Sequence, residues 1–464
     1  MFYAPVAWIH RQCLELCLLV VFLFSSIQTG TLNVLDPGGN TAVIRMDAVE
    51  YYGYLPAAFI HHDLSFSFLK KPHIPGFSYN YWVKSHSTGR MNTRMTIGYS
   101  MIMVPGFFTG HAIARVTGAP ADGFSVPYQF GIWLWTQFLV IYSLILLNRL
   151  MTMFQLPLHL RCVTVVLLPL ATNLLNYMSF EPGMTHAGNF SLCAMLLYCT
   201  AFWYQNQKFR HLAGAALSLS LITLIRPTDF ILLAIPLFTG LGKKKDFSER
   251  LHLWFRQRKQ IVLAICLFLI PFVFQIAYWK WATGNWFYDG YAEQHFFWTR
   301  WLVPEYLFSF RKGWLLYTPV MLLAMAGLFH ISLRERGYSL PIVIVLIVSI
   351  WIHSCWWSWW FGGSFGARSM IDFYPLLALP LCFCLQWIMN RNKAIRYTGA
   401  GIVLFLLHLN VFQTRQYQGG LLHWDGMTKQ AYKAIFLKDN PPTGYTEMLD
   451  PADADRAMRG EMVR

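Results

Sequence analysis

The sequence predicts an all-α polytopic membrane protein with about eleven transmembrane helices and with juxtamembrane helices in a large first outer loop. Three observations carry that prediction. With 56% hydrophobic, 17% aromatic and 13% charged residues among 464, the chain has too little polar surface for a soluble globule of its size. Apolar runs of membrane length recur along the chain. The 37 Lys and Arg residues fall in short clusters between those runs, so the net charge of +15 belongs to loops and forms no continuous basic face for nucleic acid. Eight of the nine cysteines (all but Cys355) lie inside apolar runs, where they act as small hydrophobes, and their spacing suggests neither a disulfide framework nor a zinc site.

The elements follow in order. Arg11 precedes the run from Leu14 to Phe24, and Ser25 and Ser26 follow it, which has the look of a signal peptide. The run extends through Ile27 to Leu32 and so reaches membrane length, and we read it as an uncleaved first helix. Further spans are expected near 127–148, 158–178, 184–204, 211–225, 229–242, 260–280, 314–333, 338–355, 371–389 and 397–413. The run 96–115 is weaker, with Pro105, Gly106, Gly110, His111 and Arg115 inside it. If it does not span, then Arg11, the Arg149 to Arg161 loop, Lys208 with Arg210, the Lys243 to Lys259 loop, Arg334 with Arg336, and Arg391 with Lys393 all share one side. That positive-inside arrangement makes 96–115 an interfacial or re-entrant helix on the opposite face. The expected organisation is a membrane domain over 1–413, with 33–126 as its large first extracytoplasmic loop, and a polar tail over 414–464 outside.

The same topology sorts the acids. The cytoplasmic side holds Asp246, Glu249 and Glu335, too few to build a site. The outer side holds Asp36, Asp47, Glu50, Asp63 and Asp122 in the first loop, Glu181 and His186 at a tight turn, and Asp289, Glu293, His295, Arg300, Glu305, Arg311 and Lys312 in the loop 281–313. Carboxylates at a membrane boundary are costly to desolvate, which makes each a functional candidate. The densest group is Arg45-Met46-Asp47-Ala48-Val49-Glu50-Tyr51-Tyr52, followed by His61-His62-Asp63.

This order of features resembles the GT-C class of integral-membrane glycosyltransferases, which includes the protein O-mannosyltransferases and the lipid A aminoarabinose transferases. Asp47 with Tyr51 matches the acid-tyrosine feature of the first outer loop, Asp63 the second aspartate, 96–115 the juxtamembrane helix and Glu181 the later acid. Two departures mark a divergent bacterial member. The family commonly has two adjacent acids where Ala48 follows Asp47, and Asn92 to Gly98 replaces a Lys-Pro-Pro element. The C-terminal half looks like bacterial members of the class through Arg226-Pro227-Thr228, RKGWLLYTP at 311–319 and GGSFGARSMID at 362–372. The resemblance implies transfer of a sugar from a polyprenyl-phosphate donor to a lipid, glycan or protein acceptor, at the extracytoplasmic side of a multi-pass protein of the bacterial inner membrane. It leaves the donor sugar and the acceptor open.

Such a transfer needs a base for the acceptor proton. A phosphate leaving group is a weak base and needs positive charge rather than a general acid. Asp47 is the expected base, Glu181 a second acid that orients the acceptor or holds a cation, and Asp63 a support for the Asp47 loop. Tyr51, Tyr52, Lys84, Arg94, His186, Arg226 and Arg368 form the expected substrate and phosphate set, with Arg90 on the same face. Several of these have a plainer alternative. Asp47 fits a helix N-cap, Glu181 caps a helix begun by Pro182, and Asp63 caps or faces solvent. Arg226 pairs with Asp229, and His186 is a satisfied buried histidine. Gly362, Gly363 and Gly366 let backbone approach a phosphate, or simply turn the chain. The sequence requires no metal; a divalent cation on Glu181 and His186 is an open alternative. The rival functions are a glycan polymerase or ligase, which would use the 281–313 loop, and a transporter, which would carry charges at the membrane midplane.

Overall fold

The computed structural model describes residues 3–31, 35, 42–70, 82–291 and 294–461; Asp36 and Glu293 lie outside them. The chain is a helical bundle. It opens with α1 (Tyr3–Thr31), then the short α2 (Asp47–Tyr52) and α3 (Tyr54–Phe59). A two-stranded antiparallel hairpin follows, β1 (Trp82–Lys84) with β2 (Met91–Thr93), in the register Trp82 to Thr93, Val83 to Asn92 and Lys84 to Met91. Next come α4 (Gly98–Thr117), α5 (Val126–Thr152), α6 (Leu158–Leu170), α7 (Leu174–Ser179), α8 (Thr185–Asn206), α9 (Phe209–Ile225) and, after a 3-10 turn at Pro227–Leu233, α10 (Ala234–Phe238). The second half holds α11 (Lys244–Arg256), α12 (Arg258–Thr283), α13 (Val303–Phe308), α14 (Trp314–Tyr317), α15 (Val320–Arg334) and α16 (Arg336–Cys355). A 3-10 helix at Arg368–Phe373 leads into α17 (Tyr374–Met389), and α18 (Lys393–Gln418), α19 (Lys429–Ile435) and α20 (Ala454–Met458) complete the chain.

Among the described residues six helices are long and apolar enough to cross a bilayer: 12–30 within α1, α5, α12, α16, the stretch Arg368–Met389, and α18. Their backbone groups are satisfied within each helix, as a hydrocarbon environment demands. The other expected spans take other forms. Those near 158–178, 211–225, 229–242 and 314–333 contain apolar helices of 10–17 residues, and 184–204 is α8, whose 22 residues include His186 and Asn189. The long run 158–178 is interrupted, because α6 ends after Pro169 and the chain restarts in α7.

The weak run 96–115 is helical, as α4, and is not among the six helices long and apolar enough to cross a bilayer. Gly98 begins it beside Ile225 at the end of α9, and its body lies antiparallel against the first part of α5. Small residues make this contact close: a Cβ on Gly131 would meet the Gly106 carbonyl at 2.3 Å, and one on Gly110 would meet the Pro127 carbonyl at 2.7 Å. Trp135 Nε1 donates to the Ile102 carbonyl at 2.7 Å along the same seam.

The core has three parts. The largest joins α1, α5 to α10 and α15 to α17. A second, rich in aromatics, joins α2, α3, α4 and the start of α5 through Tyr52, Tyr54, Phe66, Tyr99, Phe107 and Tyr128. The third seats the segment after α18 on α14 and on the loop before the Arg368–Phe373 helix, through Tyr317, Phe365, Leu422, Met427 and Tyr432. The segment 414–461 is thus folded onto one end of the bundle. Gln413 Nε2 donates to Tyr432 Oη at 2.7 Å, and Gln416 Nε2 to the Ile435 carbonyl at 2.8 Å.

Candidate active site

The first loop folds back onto the bundle end at Met46, whose φ of 44° turns the chain so that Asp47 begins α2. The next residue, Ala48, is buried against the 181–184 turn. A Cβ on Gly183 would lie 2.2 Å from the Val43 carbonyl and 3.0 Å from the Ala48 Cβ, so only glycine fits at 183 and a small residue at 48. That contact explains the missing adjacent acid: a carboxylate at 48 would be driven, unpaired, into protein. Asp47 itself makes no cap, since α2 has no side-chain cap hydrogen bond.

Asp47 Oδ2 lies 3.8 Å from a terminal nitrogen of Arg368, and the two side chains are 28% and 16% exposed. Tyr51 follows one turn later, buried, with Asp47, Arg226, Arg368 and Tyr291 as its charged and polar neighbours. Five chemical groups from four separate stretches of chain thus converge at one end of the bundle.

Behind Asp47 lies Glu50. Its Oε2 accepts from Thr93 Oγ1 at 2.7 Å, its Oε1 stands 3.9 Å from Arg94 Nε, and it is almost wholly buried. Burial pushes its carboxyl up to about 7, against the opposing pull of Thr93 and Arg94. Arg94 in turn lies over the Tyr291 ring at 5.4 Å, which places it at the margin of the same group.

Beneath Arg226 is a buried polar network centred on Asp372. One carboxylate oxygen accepts from His186 Nδ1 at 3.1 Å; the other accepts from Asn189 Nδ2 at 2.9 Å and from the Arg226 guanidinium at 3.0 Å. His186 and Asn189 are three residues apart on α8 and so share a face. The expected Arg226–Asp229 pair gives way to Arg226–Asp372, because Arg226 adopts extended backbone before Pro227 and swings toward the 3-10 helix. Asp229 instead takes Thr228 Oγ1 at 3.2 Å, with Asp372 and Arg226 as neighbours.

Glu181 stands on the far side of the 181–184 turn, half-buried. Its Oε1 accepts from Asn176 Nδ2 at 3.2 Å, and Asn176 Oδ1 accepts from Gln418 Nε2 at 2.5 Å, so the end of α18 reaches this group. α8 begins later, at Thr185, and neither Glu181 nor Pro182 caps it. Arg368 and Lys312 have Glu181 among their charged neighbours. Lys312 is buried, donates to the Ser364 carbonyl, and is pulled down to about 7 by that burial.

The remaining expected residues fall elsewhere. Asp63 accepts from Ser65 N and Ser67 N, each at 2.9 Å, and from both hydroxyls, so it closes its own turn before the 3-10 helix at Ser67–Lys70. Burial works against it, but those four donors outweigh the penalty and hold its carboxyl below the usual range. Tyr52 points away from Asp47: its hydroxyl donates to the Gly123 carbonyl at 2.6 Å, and its ring packs on Phe107 and Phe124. Lys84 is exposed on β1. The hairpin that carries it docks on the end of α12, where Ser87 Oγ meets the Thr283 carbonyl at 2.5 Å and Arg90 the Trp281 carbonyl at 2.7 Å. Gly363 and Gly366 make room for Trp424 and Tyr317, their nearest neighbours. Trp359 and Trp360 are core residues.

Among the described residues, no three His, Cys, Asp or Glu side chains converge as metal ligands. A cavity of about 410 Å³ opens between α13 and the C-terminal segment, lined by Glu305, Phe308, Arg311, Met427, Lys429 and Asp450. It does not include Asp47, and the chemistry is better located by the converging charges than by this groove.

No protein-family profile matches the sequence, and no curated protein does. Among solved structures, the chain is similar to the oligosaccharyltransferase of Archaeoglobus fulgidus in its apo form, with a TM-score of 0.47 and 12% identity, over 96% of this chain and 61% of that one. It is similar also to AglB from Archaeoglobus fulgidus in complex with an inhibitory peptide and a dolichol-phosphate, with a TM-score of 0.46 and 13% identity, over 96% and 61%. The chain spans 61% of the length of each, and at this level of overlap the likeness carries no functional weight.

Proposed function

We propose that the chain is a GT-C-class glycosyltransferase that moves a sugar from a polyprenyl-phosphate donor to an acceptor hydroxyl or amine at the extracytoplasmic face of the membrane. The observation that carries this reading is the placement of one partly exposed carboxylate, Asp47, beside Arg368, with Tyr51 near Asp47, Arg226 and Arg368 alike. The charge pattern of the sequence supplies the side, since the basic loops gather at the other end.

The chemistry follows from those groups. Asp47 takes the proton from the acceptor as its oxygen or nitrogen attacks the anomeric carbon, and the bond from that carbon to the phosphate oxygen breaks. The electron pair leaves with the phosphate, whose growing charge is met by Arg226 and Arg368. Both guanidiniums keep donors: among the described residues Arg226 gives one bond, to Asp372, and the buried Arg368 Nε has no acceptor. Glu181 lies within reach of Arg368 and is placed to orient the acceptor.

The test is transfer of radiolabelled sugar from a panel of polyprenyl-phosphate donors in membranes holding wild-type protein or Asp47→Asn at equal abundance. Loss of a general base is expected to cost about 10²- to 10⁴-fold. Equal label in both would remove Asp47 from catalysis, and no label from any donor would sink the glycosyltransferase reading.

A further inference from the structure

Asp372 is itself buried, yet it is bonded to Arg226, a group of the site. Its side chain is 1% exposed, and its two oxygens receive His186, Asn189 and Arg226. Arg226 is 16% exposed; the Phe361 ring lies 5.8 Å from its guanidinium carbon, and Asp229 and Tyr51 are further neighbours. Its remaining donors have no acceptor among the described residues. A guanidinium bonded at one nitrogen and free at the others is held by its partner and offered to something else.

The position of Asp372 in the chain adds to this. It lies four residues after Arg368 in a single 3-10 helix, Arg368–Phe373, packed on α8. One short element therefore carries the first arginine and the anchor of the second. The two guanidiniums are near enough to repel. A buried carboxylate on the helix of Arg368 and bonded to Arg226 lets both remain charged and close without an anion bound. Asp229 and His353 also border this network, from the turn after α9 and from α16.

We propose that Asp372 is a positioning residue for phosphate: through Arg226, and with His186 and Asn189 fixing its own orientation, it sets the spacing of a two-arginine clamp on the carrier lipid's phosphate. This rests on the function proposed above. The Asp372→Asn side chain keeps the size and removes the charge; its amide oxygen can still accept from Asn189 and Arg226 and its nitrogen can face His186 Nδ1 in the other tautomer, so the charge beside Arg226 is what is lost. Binding of the polyprenyl phosphate is therefore weakened, while the uncharged lipid tail is held as before.

The experiment measures binding of a polyprenyl monophosphate, and separately of the matching polyprenol, to full-length protein in lipid nanodiscs. Asp372→Asn is expected to weaken the phosphate by about tenfold or more and to leave the polyprenol unchanged. In combination with Arg226→Met the two losses should fall short of their sum, because the second variant removes what the first positions. Asn189→Ala keeps the Asp372 charge and takes away one of its donors; a smaller loss, about two- to fivefold, is expected and keeps the proposal testable if Asp372→Asn does not fold. Unchanged phosphate binding in a folded Asp372→Asn protein, or equal losses for phosphate and polyprenol, would overturn the positioning role alone. Unchanged phosphate binding in both Arg226→Met and Arg368→Met would overturn the phosphate site itself.

Discussion

Asp47 and Asp372 each face an arginine, and the two pairs differ in almost everything else. Asp47 is 28% exposed and 3.8 Å from Arg368, too far for a good hydrogen bond. Asp372 is 1% exposed and receives three donors within 3.1 Å. A carboxylate with room and unsatisfied oxygens can exchange a proton; one that is saturated holds its neighbours in place. The separation breaks if the two respond alike to substitution. Asp372→Ala is expected to destabilise the protein by about 3–5 kcal/mol, since it strands the Arg226 charge in the interior. Asp47→Asn should leave thermal stability in nanodiscs within about 0.5 kcal/mol of wild type while abolishing transfer. Equal melting shifts in the two variants would mean that Asp47 is structural too.

The contrast also shows what a sequence can reveal. Asp47, Glu181, Arg226 and Arg368 are legible because each is an ionisable residue at the end of an apolar segment, which is costly unless something uses it. Asp372 carries the same mark, as the second residue of the run 371–389, but its role is hidden because its partners lie 146 to 186 residues away. Lys84 looked equivalent to Arg94 by loop and charge, but hairpin register sends one to solvent and leaves the other beside Glu50. The helical bundle was readable from hydrophobicity alone. Its shorter apolar helices, and the break of 158–178 into α6 and α7, were not, since packing against α5 and α17 stabilises them rather than length.

A second carboxylate sharpens the comparison. Glu50 lies one turn from Asp47, almost fully buried, and burial pushes it up to about 7. Its native pKa is therefore above its unfolded value, so its contribution to stability is full below about pH 4.5 and is lost as pH rises through 7. The loss amounts to about 3 kcal/mol. Thermal unfolding at pH 5 and pH 8 should show this fall in wild type, and Glu50→Gln, neutral throughout, should flatten it. A pH dependence unchanged by Glu50→Gln would place the titrating group elsewhere.

The smallest test separates neighbours in sequence. Tyr51 and Tyr52 are adjacent on α2 and so about 100° apart around its axis. Tyr52 spends its hydroxyl on the Gly123 carbonyl inside the aromatic core, whereas Tyr51 lies among Asp47, Arg226 and Arg368. Tyr52→Phe is thus expected to lower stability by about 1 kcal/mol with transfer unchanged. Tyr51→Phe, losing no intramolecular bond of comparable quality, should keep its stability and lower transfer severalfold, by removing a donor to phosphate or sugar. Measured side by side, the pair asks whether proximity to Asp47 in space, rather than in sequence, defines the site. If Tyr52→Phe were the variant that lost activity, the site would have to extend into the packing between α2 and α4, where Asp47 does not reach.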